Sequence, residues 1–316
     1  MKFIFSKAFI SGFIFLLSVF PVNAQKKSGL TTVLEDSYNL VPQHSADTQY
    51  YEMQSTLQKH SPDGAIIGTD IYRLSLRCIP AKNNSQKSRY TCLKFTVQVN
   101  DATPVSIPSL SNWDWYFAIG ANNRDTSGQL FGIDHKVFEN LKGEDGKALA
   151  IENQYHVYNA FIDFHTMDVF AEKTTGDSGI QKLKKIGDKV IHQASYSQPP
   201  VNLGAEVQTG SYFKNGEITL FFKGLGMVNK KDCAIIEYDS GNSSFFMMIK
   251  PMPTMEVPTR GSSHYWGDIY KDLRSGWIQK AVLHELVVSE TTVPPSNKVH
   301  TVIERTIIIQ NIHRGD

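Results

Sequence analysis

Apolar and polar residues alternate along most of the chain, which is the pattern of β-strands with one buried face. The even positions from Tyr72 to Leu76 are apolar, and so are the odd positions from Leu93 to Val99. The segment TVIERTIIIQNI, 301–312, is rich in the β-branched residues that strands favour. We therefore predict a mainly β protein built on an antiparallel curved sheet, as a half-barrel or a sandwich.

Short turn sequences separate the predicted strands. The segment KNG, 214–216, lies between VQTGSYF and EITLFF and predicts a hairpin, because Asn-Gly supplies the positive φ angles of a tight turn. The segments YDSGNSS, 238–244, and DLRSGW, 272–277, predict two further turns between neighbouring strands. Strands do not alternate with helices, and the glycine-rich phosphate-binding motifs are absent from the sequence, so a nucleotide-binding α/β fold is excluded.

One segment, GIQKLKKIGDKVIHQA, 179–194, has instead the periodicity of an amphipathic helix. Its apolar residues recur at helical spacing from Ile180 through Leu183 to Val190, and its lysines fall mostly on the other side. We predict that this helix packs on the sheet. The segment SQPPVNLG, 197–204, follows it and is the candidate sub-boundary within a single β-rich domain, 25–316.

The first 24 residues, 1–24, have the features of a signal peptide. Lysines precede an apolar run, 8–20, and Val22 and Ala24 are small residues suited to a signal-peptidase site. The apolar run is too short for a membrane-spanning helix, and no second long run follows. We expect a mature chain that starts at Gln25, has no transmembrane segment, and is exported to the periplasm or the extracellular space.

Charge and cysteine content restrict the class of protein further. The 32 basic and 31 acidic residues nearly cancel, so the chain shows no excess of positive charge for binding nucleic acid. In an exported protein Cys78 and Cys92 are candidates for a disulfide across a hairpin, although a bulge is needed to bring their faces into register. Cys233 is then a buried thiol, and the alternative partner of Cys78.

The segment FIDFHTMDVF, 161–170, carries the first candidate chemistry. If it is a strand, Asp163 and His165 share a face and Asp168 points the other way. The pair can serve as a general acid and base, or it can be a structural hydrogen bond. Two ligands do not make a metal site, so we predict no metal and no cofactor.

The segment GSSHYWGD, 261–268, carries the second group of candidate functional residues. On a strand His264, Trp266 and Asp268 share a face, where an indole ring can stack on a sugar while the polar groups orient it. The alternative is a half-buried strand whose tryptophan fills the core.

Aromatic and methionine side chains provide further candidates for ligand binding. Trp113 and Trp115 share a strand face and either form a stacking platform or pack in the core. Met248 and Met252 either line an adaptable cavity or fill gaps in the core.

The segment GDIYKDLRSGW, 267–277, which turns into a long strand, resembles hairpins of exported lipid-carrier proteins that have a half-barrel sheet and a covering helix. That resemblance implies a cavity between sheet and helix. It covers only this short segment.

Three functions are therefore open. The first is non-enzymatic binding of an apolar or amphiphilic small molecule in a β-lined cavity, and the possible ligands are a lipid, a sugar or another small molecule. The second is an envelope hydrolase or sugar-active enzyme that combines Asp163 and His165 with His264 and Asp268, which requires the two segments to meet. The third is a structural envelope component without a ligand. The sequence predicts no oligomeric state.

Overall fold

The structure is a computed structural model. The described residues are 36–82, 87–118, 129–174, 176–203, 207–252 and 254–312. The predicted signal peptide, 1–24, lies outside them. Within the described part of the chain, no helix is long and apolar enough to cross a membrane.

In the described part of the chain, thirteen strands form one antiparallel sheet that does not close into a barrel. The first seven are β1 (Gln49–His60), β2 (Ile66–Ile79), β3 (Ser88–Val99), β4 (Val105–Ser106), β5 (Trp113–Phe117), β6 (Lys189–Gln193) and β7 (Ser197–Gln198). The other six are β8 (Tyr212–Lys214), β9 (Ile218–Val228), β10 (Lys231–Met252), β11 (Met255–Asp272), β12 (Ile278–Val293) and β13 (Asn297–Asn311). The prediction of a mainly β, antiparallel sheet is confirmed, with one sheet rather than the two of a sandwich.

The order of the strands brings the first and the last together in the middle of the sheet. Their order is β4-β3-β2-β1-β13-β12-β11-β10-β8-β7, while β5 pairs with β3, β9 with β10, and β6 with β9. The β11–β12 turn at 272–277 is confirmed as predicted. The long strands β10 to β13 form a continuous meander in which each strand pairs with the next.

The other two predicted turns are wrong, for one reason. Strand β10 continues through 238–244 and contains a bulge between Asp239 and Asn242 instead of a turn. Because β10 is so long, β9 pairs with its first half and β8 with its second half, and the two do not form a hairpin with each other. Gly216 is needed where the chain passes β10, since a Cβ there would lie 2.4 Å from the Ser240 carbonyl oxygen.

The helix α1 (Ile151–Phe170) packs on the sheet, but it is not the helix that the sequence predicted. Residues 179–194 form a short 3₁₀ turn followed by β6. A tight turn interrupts the predicted helix, because Gly187 has a φ of +99° and the Asp188 carboxylate accepts hydrogen bonds from two backbone N–H groups. The apolar residues Ile180 and Leu183 are still buried.

Residues 161–170, predicted as a strand, are the second half of α1. Buried side chains occur on most sides of the helix, from Val157 and Phe161 to His165 and Met167. A helix that is buried nearly all round shows no clean apolar stripe, so its sequence also fits an alternating pattern. We call the face of the sheet that contacts α1 the inner face, and the opposite one the outer face.

The segment 197–204 packs on α1, as far as it is described. The Tyr155 hydroxyl donates a hydrogen bond to the Val201 carbonyl, and the Leu203 N–H donates to the same hydroxyl. The Leu203 side chain is buried in the core. These contacts tie the described part of the segment to α1.

All three cysteines are buried free thiols. A register shift after Ser75 does bring Cys78 and Cys92 to one face, but Cys78 lies opposite Tyr90 and Cys92 opposite Leu76. The expected Cys78–Cys92 disulfide is therefore not formed in this structure. Burial raises the pKa of the Cys92 thiol to about 12 and that of Cys233 to about 11, so these side chains pack as small apolar groups.

Candidate ligand cavity

A cavity of about 580 Å³ lies between α1 and the inner face of the sheet. The helix supplies residues at helical spacing, including Ile162, Thr166 and Val169. Strands β8 to β12 supply the opposite wall, with Phe213 and Leu283 among its apolar residues. Several of the lining residues are polar: Thr174, His192, Gln193, Gln198 and Asn215. The cavity is thus apolar along much of its wall and polar at defined points.

A buried ion cluster forms part of one wall. In the register of the sheet Tyr265, Glu285 and Arg305 form a row across β11, β12 and β13. The Arg305 guanidinium donates to Glu285 through Nε and to Asp163 of α1 through Nη1, each at 2.5 Å. The side chains of Arg305, Glu285 and Asp163 are all buried. One cation is therefore shared by two carboxylates.

Burial and ion pairing shift the pKa values of this cluster in opposite directions. Burial raises the pKa of Asp163 above its ordinary value, although the Arg305 charge acts in the other direction. Burial alone would lower the pKa of Arg305, but the two carboxylates raise it well above its ordinary value. The guanidinium is therefore charged at neutral pH.

A tyrosine hydroxyl beside this cluster has no hydrogen-bond partner. Tyr238 is 1% exposed and lines the cavity, and its hydroxyl is both buried and unpaired in the structure. Burial raises its pKa well above the ordinary value, with a further increase from the charge of Asp163. The hydroxyl is thus protonated, and its capacity to donate and accept a hydrogen bond is unused within the structure.

A second buried ion pair lies beyond the end of α1. Lys271 is fully buried and donates to the Ala171 carbonyl and to Glu172, each at 2.5 Å. Glu172 also contacts the His44 imidazole at 2.8 Å and lines the cavity. Burial would raise the pKa of Glu172, but Lys271 and His44 together lower it, so the carboxylate is charged. This pair fastens the end of the helix to β11.

His165 does not contact Asp163, because residues two positions apart on a helix point in nearly opposite directions. Its Nε2 accepts a hydrogen bond of 2.7 Å from the Trp115 indole N–H. Burial lowers the pKa of His165 to about 3, so the ring is neutral. Aromatic rings of Tyr90, Phe117 and others surround it. The side chain is part of the core.

Asp168 is also buried, and the Tyr90 hydroxyl donates a hydrogen bond of 3.1 Å to its carboxylate. Burial, with the Glu172 charge in addition, raises the pKa of Asp168 from 3.8 to about 6. In the folded protein this acid therefore holds a proton that the unfolded chain releases between these two pH values. It costs stability at neutral pH, and the cost disappears as the pH falls toward 4.

We expect Asp168→Asn to increase the free energy of unfolding by about 1–3 kcal/mol at neutral pH. The asparagine carbonyl still accepts from Tyr90, while the buried charge is gone. Chemical denaturation of both proteins between about pH 4 and 8 measures the effect. The gain should vanish at the acid end of the series, and a variant less stable than the wild type at every pH would contradict the assignment.

His264 and Asp268 lie on the outer face of the sheet. His264 pairs with Asp239 at 3.0 Å, and Asp268 with Lys223 at 3.1 Å. Since Tyr265, between them, points to the inner face, their side chains point away from α1. The structure therefore does not bring them together with Asp163 and His165.

The tryptophans that were candidates for ligand binding also lie in different parts of the structure. Trp113 and Trp115 stack at 5.0 Å but pack against Phe161 of α1, so they belong to the core. Trp266 is 38% exposed on the outer face, where its ring stacks on His284 and makes a tilted contact with His264.

The two methionines lie outside the cavity wall. Met248 is half-buried and Met252 is 54% exposed, and neither lines the cavity. Within the described residues, no three side chains of His, Cys, Asp or Glu are arranged to hold a metal ion.

The residues that matter most at the cavity were missed from the sequence, although a signal for two of them is present. Arg305 stands between Ile303 and Ile307 at an inner position of its strand, and Glu285 stands between Leu283 and Val287. A charged residue at an apolar position of an alternating strand needs a buried partner. That signal was available in both strands, but nothing indicated that Asp163 would be the third member.

No protein-family model matches the chain, and no curated protein is similar to it in sequence.

Proposed function

We propose that the protein binds an apolar or amphiphilic small molecule in the cavity between α1 and the inner face of the sheet. The observation that carries the proposal is the cavity itself. Its volume of about 580 Å³ is in the range of small-molecule sites. Its wall combines apolar side chains with a few buried polar groups, of which the Tyr238 hydroxyl is unpaired.

The positions of the other candidate residues favour binding over the hydrolase alternative. His165 is a neutral core side chain bonded to Trp115, and the Asp163 carboxylate is held by Arg305. His264 and Asp268 each have a partner on the outer face. A general acid and base must both reach one reacting group, and these four side chains are separated by the sheet.

The experiment compares two Ile→Trp variants of the same helix. Ile162 lines the cavity, whereas Ile151 is 41% exposed in the first turn of α1 and does not. We expect native mass spectrometry of the wild type, purified from a cell envelope, to show a bound organic molecule. Ile162→Trp should remove at least about nine tenths of the bound fraction, because the indole occupies the cavity, and Ile151→Trp should retain it.

A wild type that carries no molecule and takes up no added amphiphile would contradict the proposal and leave the structural-component alternative. Equal loss of the ligand in both variants would show that the substitution acts through folding and not through the cavity. Thermal unfolding of both variants distinguishes loss of ligand through impaired folding from loss of ligand through a filled cavity.

We also propose that the protein is exported, on the evidence of its first 24 residues. The denatured mass of the same envelope sample tests this. It should correspond to a chain that starts at Gln25, and a mass that includes residues 1–24 would overturn the proposal.

A further inference from the structure

The buried ion cluster and the two tyrosines beside it form one polar region of the cavity wall, which we call the polar end: Asp163, Tyr238, Tyr265, Glu285 and Arg305. Asp163, Tyr238 and Tyr265 line the cavity directly. The other two support them from the sheet, since Arg305 binds both carboxylates and Glu285 is hydrogen-bonded to Tyr265. A molecule in the cavity therefore meets one carboxylate and two phenol groups here.

The balance of charge at the polar end is negative. Two carboxylates share a single guanidinium, and Arg305 directs its Nε and Nη1 hydrogen bonds at them and not at the cavity. The Asp163 carboxylate is the charged group that lines the cavity at this end. An anionic head group placed there would meet a carboxylate of the same sign, whereas a cation would pair with it.

The unpaired Tyr238 hydroxyl is the second and independent observation. The Tyr238 residue is 1% exposed and lines the cavity, and its hydroxyl oxygen is buried and has no partner in the structure. An unpaired buried hydroxyl costs stability, so a ligand group that bonds it gains affinity. Ammonium and hydroxyl groups can both donate to this oxygen.

The other charges of the cavity lie at its far end. Glu172 and Lys173 follow the end of α1, and Glu172 is already bound to Lys271. Asp163 and Phe170 both line the cavity, so it extends at least about 10 Å along the helix between them. That distance separates the polar end from Lys173, so a head group bound at Asp163 does not reach the lysine.

We propose that the polar end selects amphiphiles whose head group donates hydrogen bonds and is cationic or neutral, such as a long-chain amine, over amphiphiles with an anionic head group. This inference rests on the proposed function. The apolar chain then lies along Ile162, Val169 and Leu283, toward Phe213.

Isothermal titration calorimetry with three ligands of equal chain length tests the inference: dodecylammonium, dodecanol and dodecanoate, at about pH 7.5 and below their critical micelle concentrations. We expect dodecylammonium to bind the wild type at least about tenfold more tightly than dodecanoate. Asp163→Asn should bring the affinities for dodecylammonium and dodecanoate to within about threefold of each other, while the affinity for dodecanol changes little. Asp239→Asn is the matched control, because its carboxylate bonds His264 on the outer face, and it should keep the full ratio.

Tyr238→Phe is the second variant, because it removes an unpaired hydroxyl and leaves the ion cluster intact. It should weaken both dodecylammonium and dodecanol by about three- to tenfold. Dodecanoate that binds the wild type as tightly as dodecylammonium, or a ratio unchanged in Asp163→Asn, would overturn the inference and leave the proposed function in place. If none of the three ligands binds, the proposed function falls as well.

Discussion

Replacing Arg305 with methionine should destabilise the protein by about 3–5 kcal/mol at neutral pH, which is the largest effect that we expect from a single substitution. Arg305 is 5% exposed and is the shared partner of Asp163 and Glu285. Methionine fills much of the same volume but leaves two buried carboxylates without a cation. The free energy of unfolding from chemical denaturation measures the loss.

The size of this effect depends on burial, and the chain offers a matched control. Arg260 and Glu290 form a similar cross-strand pair between β11 and β12, but the Arg260 side chain is 69% exposed. Arg260→Met should therefore cost less than about 1 kcal/mol, because water screens an exposed pair. Equal losses in the two variants would show that the Arg305 cluster is not desolvated as the structure describes it.

The pH dependence of Arg305→Met provides a second check. Without the guanidinium, the pKa of a buried carboxylate rises further above its ordinary value. An acid whose pKa is raised in the folded state regains stability as the pH falls through that raised value. The difference between wild type and variant should therefore narrow from pH 8 to about pH 5. A difference that stays constant over this range would argue against two unpaired carboxylates.

His165→Gln should remove much of the acid sensitivity of the protein. Burial lowers the pKa of His165 from 6.5 to about 3, so the unfolded chain binds a proton in this interval that the folded protein does not. A base whose folded-state pKa is lowered loses stability as the pH falls below its ordinary value. Between about pH 6.5 and 4 this single ring accounts for about 3 kcal/mol of the expected loss.

Glutamine suits this experiment because it cannot be protonated and can still accept the indole hydrogen bond of Trp115. We expect the variant to be less stable than the wild type at neutral pH by about 1–3 kcal/mol, since its amide N–H groups lie among aromatic rings. Its stability should then fall much less on acidification. Asp168 lies on the same helix and has the opposite effect on the pH dependence of stability, because its pKa is raised and that of His165 is lowered. If the stability of His165→Gln falls with pH as steeply as that of the wild type, the acid sensitivity does not come from His165.

The proposed function depends on residues that are far apart in the sequence. Asp163 and Arg305 meet only because α1 crosses the inner face of the sheet over β13. Tyr238 joins them because β10 lies two strands away from β12, with β11 between. A ligand site of this kind is carried by the arrangement of the elements and not by a local motif.

The alternation of apolar and polar residues by itself determined the β class, the antiparallel sheet and several strands, including β2, β3 and β13. Alternation works there because one face of each strand packs inward and the other does not. It failed where that condition failed. Helix α1 is buried on most sides, so the sequence around Asp163 and His165 fits a strand as well as a helix. In 179–194 a local turn at Gly187 outweighed a helical spacing of apolar residues.

Only the tertiary structure decided which polar groups face the cavity. The sequence indicated that Asp163, His165 and Asp168 were unusual, yet each has a different partner: Arg305, Trp115 and Tyr90. Those partners come from three strands, and a buried polar group takes whichever partner the packing of the helix presents. Pairing across such distances depends on the strand order and on the position of the helix, and neither is encoded in the residues around the site.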